Sequence, residues 1–277
     1  MLAPLTAALT GTRIEAEYQK AAASLSRVRE SPHVFDAGAY DPRAVARARA
    51  FWSDRMVTEY TSTTVFSALA SQLVEANATL DASAVALRMA HDELVHAEAC
   101  AKVVVAMGGK GRRMRETDVA VIARHPGCSA EERALRNVIF TTCMSELNAV
   151  AFFVAMLDRM TDPYLRDVSR QLLADEVLHG SFGFHYLEAW GPFLEANPGS
   201  RDRVSAYLPF AFAVAERELG GGEPVPEPLT ADELSLGILP PGLSGEVFRA
   251  TMRDATVPGL ARFGLAAEEA WQRRTLG

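Results

Sequence analysis

The sequence predicts an all-α chain with four core helices and further helices at its N- and C-terminal ends. Three observations predict it. Long helix-compatible stretches are cut only by capping residues, proline and glycine. No βαβ alternation, glycine-rich phosphate loop or Gly-x-Ser-x-Gly elbow interrupts them. The phrase Asp-Glu-x-x-His occurs twice, at 92–96 and 175–179, and each copy follows a lone glutamate on the preceding stretch, which makes an internal pseudo-repeat.

Taken in order, the first predicted helix covers 4–29, and Ser31-Pro32 through Asp41-Pro42 break it. A long helix follows from about Pro42 to Asn77. Asp81, with Ser83 close behind, is the expected cap of the next, which runs to Met107 and stops at Gly108-Gly109. A polar, basic loop spans 110–129 with Lys110, Arg112, Arg113 and Arg115 together, a run that most often is simply solvated. Ser129 with Glu132 three residues on approximates a capping box for a helix ending near Met160. Asp162-Pro163 starts another, to about Trp190, where Gly191-Pro192 is expected to end it. A further helix is expected over 201–219. The stretch 220–241 is rich in Gly and Pro and reads as a loop over the helices, and a C-terminal helical segment is expected to be interrupted at Pro258-Gly259. The whole chain, 1–277, reads as a single domain with its core at about 42–191, an N-terminal helix at 4–29 and a C-terminal extension at 192–277.

Composition narrows the function. At 277 residues and 49% hydrophobic content the chain can bury a sizeable core. A net charge of −7 and a pI near 5.5 argue against nucleic acid as a partner. Cys100, Cys128 and Cys143 form no CxxC pair and fit a reducing, cytoplasmic compartment. Residues 1–10 are apolar but carry no basic flank, so no signal peptide is expected. The apolar run 138–157 has membrane length, yet it contains Glu146 and Asn148 and reads as a buried helix, so no membrane partner is expected.

The chemistry lies in Glu59, Glu93 with His96, Glu146, and Glu176 with His179. Residues three apart share a helix face, so each Glu-x-x-His aims a carboxylate and an imidazole at one point. Two helices giving one glutamate each and two giving Glu-x-x-His supply four carboxylates and two imidazoles, a set suited to two iron ions, or manganese, in a bundle core. The gaps repeat: Glu59 precedes Glu93 by 34 positions and Glu146 precedes Glu176 by 30. Glu75 shares a helix with Glu59 but lies near its end. Glu146 is the only carboxylate between Arg136 and Asp158, and a lone buried charge there needs a partner.

These residues resemble the ferritin-like superfamily of di-iron carboxylate proteins over the four-helix core, about half of the chain. The resemblance implies a ferritin-like four-helix bundle. In oxygen-activating members an aspartate placed like Asp92 and Asp175 accepts the N–H of a ligand histidine; storage ferritins generally lack the doubled motif. Cys100 stands where ribonucleotide reductase carries its radical tyrosine and where multicomponent monooxygenases place a cysteine. Gly183, four after His179, fits the oxygenase pattern too. The chain departs from that group at Val95 and Leu178, where arginine is usual. It departs from the arylamine N-oxygenases at Leu172, where they carry a third histidine.

The resemblance implies an O2-dependent di-iron oxygenase or oxidase that hydroxylates, N-oxygenates or desaturates a small organic substrate. Its electrons would come from a separate reductase or ferredoxin, and a homodimer through the long helices is expected. Two alternatives stand beside it. One is a ferroxidase or a rubrerythrin-like or manganese-catalase-like peroxide scavenger, and the other is a metal-free helical interaction protein. His185, Cys100 and Cys143 are candidates to reach the site, and Phe66, Phe152, Phe153 and Phe182 to wall a substrate cavity. The bland reading of the cysteines and aromatics is ordinary core packing.

Overall fold

Caps and breakers set the helix ends. The computed structural model describes residues 31–110, 121–221, 228–240 and 242–275, and no strand occurs among them. The predicted helix at 4–29, and Arg112, Arg113 and Arg115, lie outside the described residues. Helix α1 spans Pro42–Glu75, with Asp41 accepting the Arg43 N–H at 2.7 Å and Pro42 in the first turn. It ends where Asn77 turns left-handed at φ 53° and the Ala78 N–H reaches back to the Leu73 carbonyl. Helix α2, Leu80–Ala106, is capped by the Thr79 hydroxyl and not by Asp81, which sits in the first turn where its charge complements the helix dipole. Gly108 at φ 75°, with the Gly109 N–H bonded to the Val104 carbonyl, stops it as expected.

Helix α3 covers Ala130–Leu157 and starts at the predicted Ser129 cap. The Glu132 side chain does not close the capping box; it receives Arg136 and, from much farther along the chain, Arg203, each at 2.7 Å. The middle of α3, Ile139–Glu146, is a π-helix, which the sequence reading did not anticipate. Among the described residues α3 is the one helix long and apolar enough to cross a membrane, and 56% of its most apolar stretch is buried inside the protein.

Helix α4 starts at Asp162, whose carboxylate accepts the Leu165 N–H at 2.8 Å, and runs over Pro163–Ala196. The expected stop at Gly191-Pro192 is therefore wrong. A proline there removes one backbone donor, and the helix runs on past it, with Trp190 and Phe193 meeting edge to face at 4.7 Å across that turn. Helix α5, Pro198–Leu219, begins three residues before the expected start. Within the expected loop over 220–241 lies a short helix, α6 (Ala231–Ser235), closed by a full Thr230/Glu233 capping box. It pins onto the start of α1, through Arg47 to Glu233 and the Asp41 N–H to Asp232.

Pro258-Gly259 also fails to interrupt the chain. Residues 243–261 form one helix, α7, whose central Met252–Thr256 is a second π segment, so Pro258 enters as the first turn of the part that follows. The break comes at Gly264, φ 74°, before α8 (Ala267–Gln272). Helix α7 lies on α3: Phe248, Met252 and Val257 join the core of Cys143 and Met144, and the Thr256 hydroxyl donates to the Cys143 carbonyl at 2.8 Å. The widened turn of α3 is satisfied in part by Thr141 and Thr142, which bond back to the Asn137 and Val138 carbonyls.

Helices α1 and α2 pack along their lengths, and α3 packs on α4. Gly180 and Gly183 permit the second approach. A Cβ at Gly183 would meet the Thr142 hydroxyl at 2.2 Å and the Cys143 sulfur at 2.4 Å, and one at Gly180 would come within 3.1 Å of the Leu147 backbone.

Candidate metal centre

The four long helices bring all six predicted ligands together in the interior. Glu59 comes from α1, Glu93 and His96 from α2, Glu146 from α3, and Glu176 and His179 from α4. They form two overlapping groups that could each hold a metal ion: Glu59, Glu93, His96 and Glu176, and Glu93, Glu146, Glu176 and His179. Within each group one ligand atom per residue lies within 4.8 Å of the others. Glu93 and Glu176 belong to both groups. Glu59, Glu93, Glu176 and both histidines are buried, while the Glu146 side chain keeps 12% of its surface exposed.

The histidines are oriented alike. His96 Nδ1 faces Glu176 at 3.4 Å and Glu59 at 3.6 Å. His179 Nδ1 faces Glu93 at 3.2 Å, Glu176 at 3.3 Å and Glu146 at 3.6 Å. Their other nitrogens point outward to the motif aspartates, in a crossed arrangement. His96 on α2 meets Asp175 of α4 at 3.5 Å, and His179 on α4 meets Asp92 of α2 at 3.4 Å. With Nε2 directed at a carboxylate, loss of one proton from the imidazolium would leave Nδ1 as the lone pair, the tautomer a metal ligand requires.

Two arginines complete the shell, and the sequence reading missed both. Arg55 Nε donates to Glu59 at 2.6 Å, and its guanidinium lies 4.2 Å from the Phe153 ring centre. Arg88 Nε donates to both Asp92 oxygens, at 2.8 and 2.9 Å, and its terminal nitrogen reaches Asp175 at 3.6 Å. One guanidinium thus ties the two outer aspartates together, without an arginine at Val95 or Leu178. The signal was present as Arg-x-x-x-acid spacing, which places the two groups one turn apart.

The electrostatics of the cluster follow from burial and crowded charge. Burial drives the Glu93 carboxyl well above its usual range, against the pull of His179. Burial and the Glu176 charge raise Glu146 to about 8. Burial opposes charge on Glu176 as well, but His179 and His96 outweigh it and hold this carboxylate well below the ordinary value. Glu59 is likewise lowered, with Arg55 overcoming its burial. Both imidazoles are raised well above the ordinary histidine value; burial works against this, and the surrounding carboxylates, Asp175 first for His96 and Asp92 first for His179, prevail.

Other candidates separate cleanly. Glu75 is exposed and paired to Arg133 at 2.7 Å, so it does not compete with Glu59. Cys100 is buried against the cluster, its thiol pushed up by burial and then by Glu59. Cys143, within the π segment, packs in the core. The Phe66 ring centre lies 5.8 Å from that of His179, Phe152 and Phe153 flank Arg55, and exposed His185 sits in a cleft beyond the cluster.

Do these residues fit metal ions? Among the described residues, buried His96 Nδ1, His179 Nδ1, Glu93 Oε1 and Glu176 Oε2 have no hydrogen-bond partner. Unmatched buried polar atoms are rare because each costs about 1–3 kcal/mol. Here they converge, and hard oxygen donors with one imidazole per group suit iron or manganese. Comparison with models of protein families, with curated proteins and with solved structures finds no match to this chain.

Proposed function

We propose that the chain is a ferritin-like four-helix bundle holding two iron ions, and that it acts as an O2-dependent oxygenase or oxidase on a small organic substrate. The observation that carries the reading is the sharing of Glu93 and Glu176 between two buried donor groups, each completed by one inward-facing imidazole nitrogen. Glu59 and His96 would serve one ion, Glu146 and His179 the other, and the shared carboxylates would join them. When bound, such a pair supplies electrons to dioxygen and oxidising power to a substrate.

The chain's own residues prepare that chemistry. Asp92 and Asp175 fix each histidine from the opposite helix, so neither imidazole can rotate without breaking a tie between α2 and α4. Arg88 neutralises both aspartates and couples the two halves. Arg55 holds Glu59 in place. Phe66 is buried with its ring 5.8 Å from that of His179 and helps keep bulk water out. Glu146 is the most exposed ligand and in the metal-free protein is raised to about 8, so it would give up a proton on taking metal near neutral pH. The crossed aspartates favour this reading over iron storage, which needs no such fixing. Electrons would arrive from a separate reductase or ferredoxin.

The test is oxygen uptake. Protein loaded anaerobically with iron(II) is mixed with dioxygen, with Glu93→Ala/His179→Ala as control. Uptake in proportion to bound iron, abolished in the control, supports the proposal; equal uptake by both proteins refutes it.

A further inference from the structure

The turn before α2, the first part of α2 and the stretch of α4 around and beyond His179 line a cleft of about 690 Å³. That volume falls within the range of small-molecule sites. One wall is an aromatic ladder on α4: Phe182 and Tyr186 with ring centres 6.0 Å apart, Tyr186 and Trp190 at 5.7 Å, and Trp190 and Phe193 at 4.7 Å. The facing wall is small, with Ala78, Ala82 and Val85. The inner end is Leu178, the immediate neighbour of His179, and Phe182 lies one turn beyond that ligand.

Two features define what the cleft accepts. Tyr186 lines the cleft but is only 4% exposed, and its hydroxyl, buried beneath the surface, has no hydrogen-bond partner among the described residues. A ligand nitrogen or oxygen that reached it past the ring would satisfy it. Among the described residues no lysine or arginine lines the cleft, while Asp81 and His185 do, so an anionic ligand would find neither a guanidinium nor an ammonium group there and would meet the Asp81 charge.

We propose that this cleft binds the organic substrate, and that the substrate is a neutral, elongated, mainly aromatic molecule lying along the ladder with a hydrogen-bonding group at Tyr186. The proposal rests on the oxygenase reading and names the substrate class for it.

The probe is N-phenyl-1-naphthylamine, a neutral aromatic amine that fluoresces in apolar sites, titrated into the full chain with and without metal. Saturable binding at one site is expected. Ala189→Trp, at an exposed lining position, should weaken it at least tenfold by filling the mouth. Tyr186→Phe, which removes an unpartnered hydroxyl and so leaves folding intact, should weaken it about three- to tenfold. The anionic analogue 1-anilinonaphthalene-8-sulfonate should bind at least tenfold less tightly. Equal binding to wild type and Ala189→Trp, tighter binding of the anion, or no binding to wild type because the chain or a second copy covers the cleft would each overturn the proposal. Binding to metal-free protein is read independently of metal content and oxygen uptake. Failure here therefore leaves the two-metal reading standing, and loss of metal leaves the cleft intact.

Discussion

Metal binding should release about four protons for each pair of divalent ions taken up near pH 7. The number follows from charge balance in the buried cluster. Six carboxyl groups, Glu59, Glu93, Glu146, Glu176, Asp92 and Asp175, face two imidazoles and the guanidinium groups of Arg55 and Arg88. In the metal-free protein His96 and His179 are held protonated, and Glu93 and Glu146 keep their protons because their pKa values are raised. Four carboxylates then meet four cations and the cluster is neutral, as a buried site must be to avoid a desolvation cost of several kcal/mol per uncompensated ion. With two divalent ions, six carboxylates, neutral imidazoles and the same arginines, neutrality is reached again. The difference is two imidazolium protons and two carboxyl protons. Calorimetric titration in two buffers of different ionisation enthalpy, or a pH-stat, measures the release directly. Glu146→Gln removes one titrating group and should lower it to about three. A release of two or fewer protons in the wild type would refute the reasoning, since the loaded cluster would then carry buried positive charge.

Three further outcomes are expected. Arg88→Met should weaken both metal equivalents roughly tenfold in chelator competition, whereas Asp92→Asn should weaken chiefly the ion held by Glu146 and His179, because Asp92 serves the histidine of the opposite helix. Gly183→Val should lower the melting temperature by several degrees through overpacking of about 1–3 kcal/mol against Thr142 and Cys143; an unchanged value would contradict the close approach of α4 to the π segment. The metal-free protein should melt lower at pH 9 than at pH 6. The raised histidines stabilise the fold fully below about pH 6.5 and lose this as pH rises through their folded values; Glu146 behaves likewise between about 4.5 and about 8. Glu59 and Glu176 act oppositely, but their contribution is already complete above about pH 5. Scanning calorimetry checks this, and loaded protein should show no such fall, since metal replaces the protons.

Much of the centre was legible in the sequence because its chemistry is local. A Glu-x-x-His pair is one helix face, and Asp41, Ser129 and Asp162 announce helix starts through hydrogen bonds made within the next three residues. Glu146 was legible as a lone charge in an apolar run. What escaped depends on contacts between distant segments. The π segment of α3 exists where Gly183 lets α4 approach and Thr256 of α7 takes up a carbonyl, and neither partner is near in sequence. Helix continues through Gly191-Pro192, where Trp190 and Phe193 meet edge to face, a contact that residue propensities do not announce. Thr79 replaced Asp81 as cap because both residue types cap well, and the left-handed turn at Asn77 decides between them. The crossed pairing of Asp92 with His179 and of Asp175 with His96 is equally invisible along the chain: each motif carries an aspartate and a histidine, but only the packing of α2 on α4 shows that they serve each other. The cleft likewise takes its lining from two helices distant in sequence.

The most direct test is the number of metal ions per chain, measured by mass spectrometry on protein purified from cells grown with added iron and manganese. The account predicts two irons per chain in the wild type and none retained by Glu93→Ala/His179→Ala, because one substitution removes a shared carboxylate and the other a sole imidazole. Wild-type protein that binds no metal, or a double variant that keeps both ions, would contradict it.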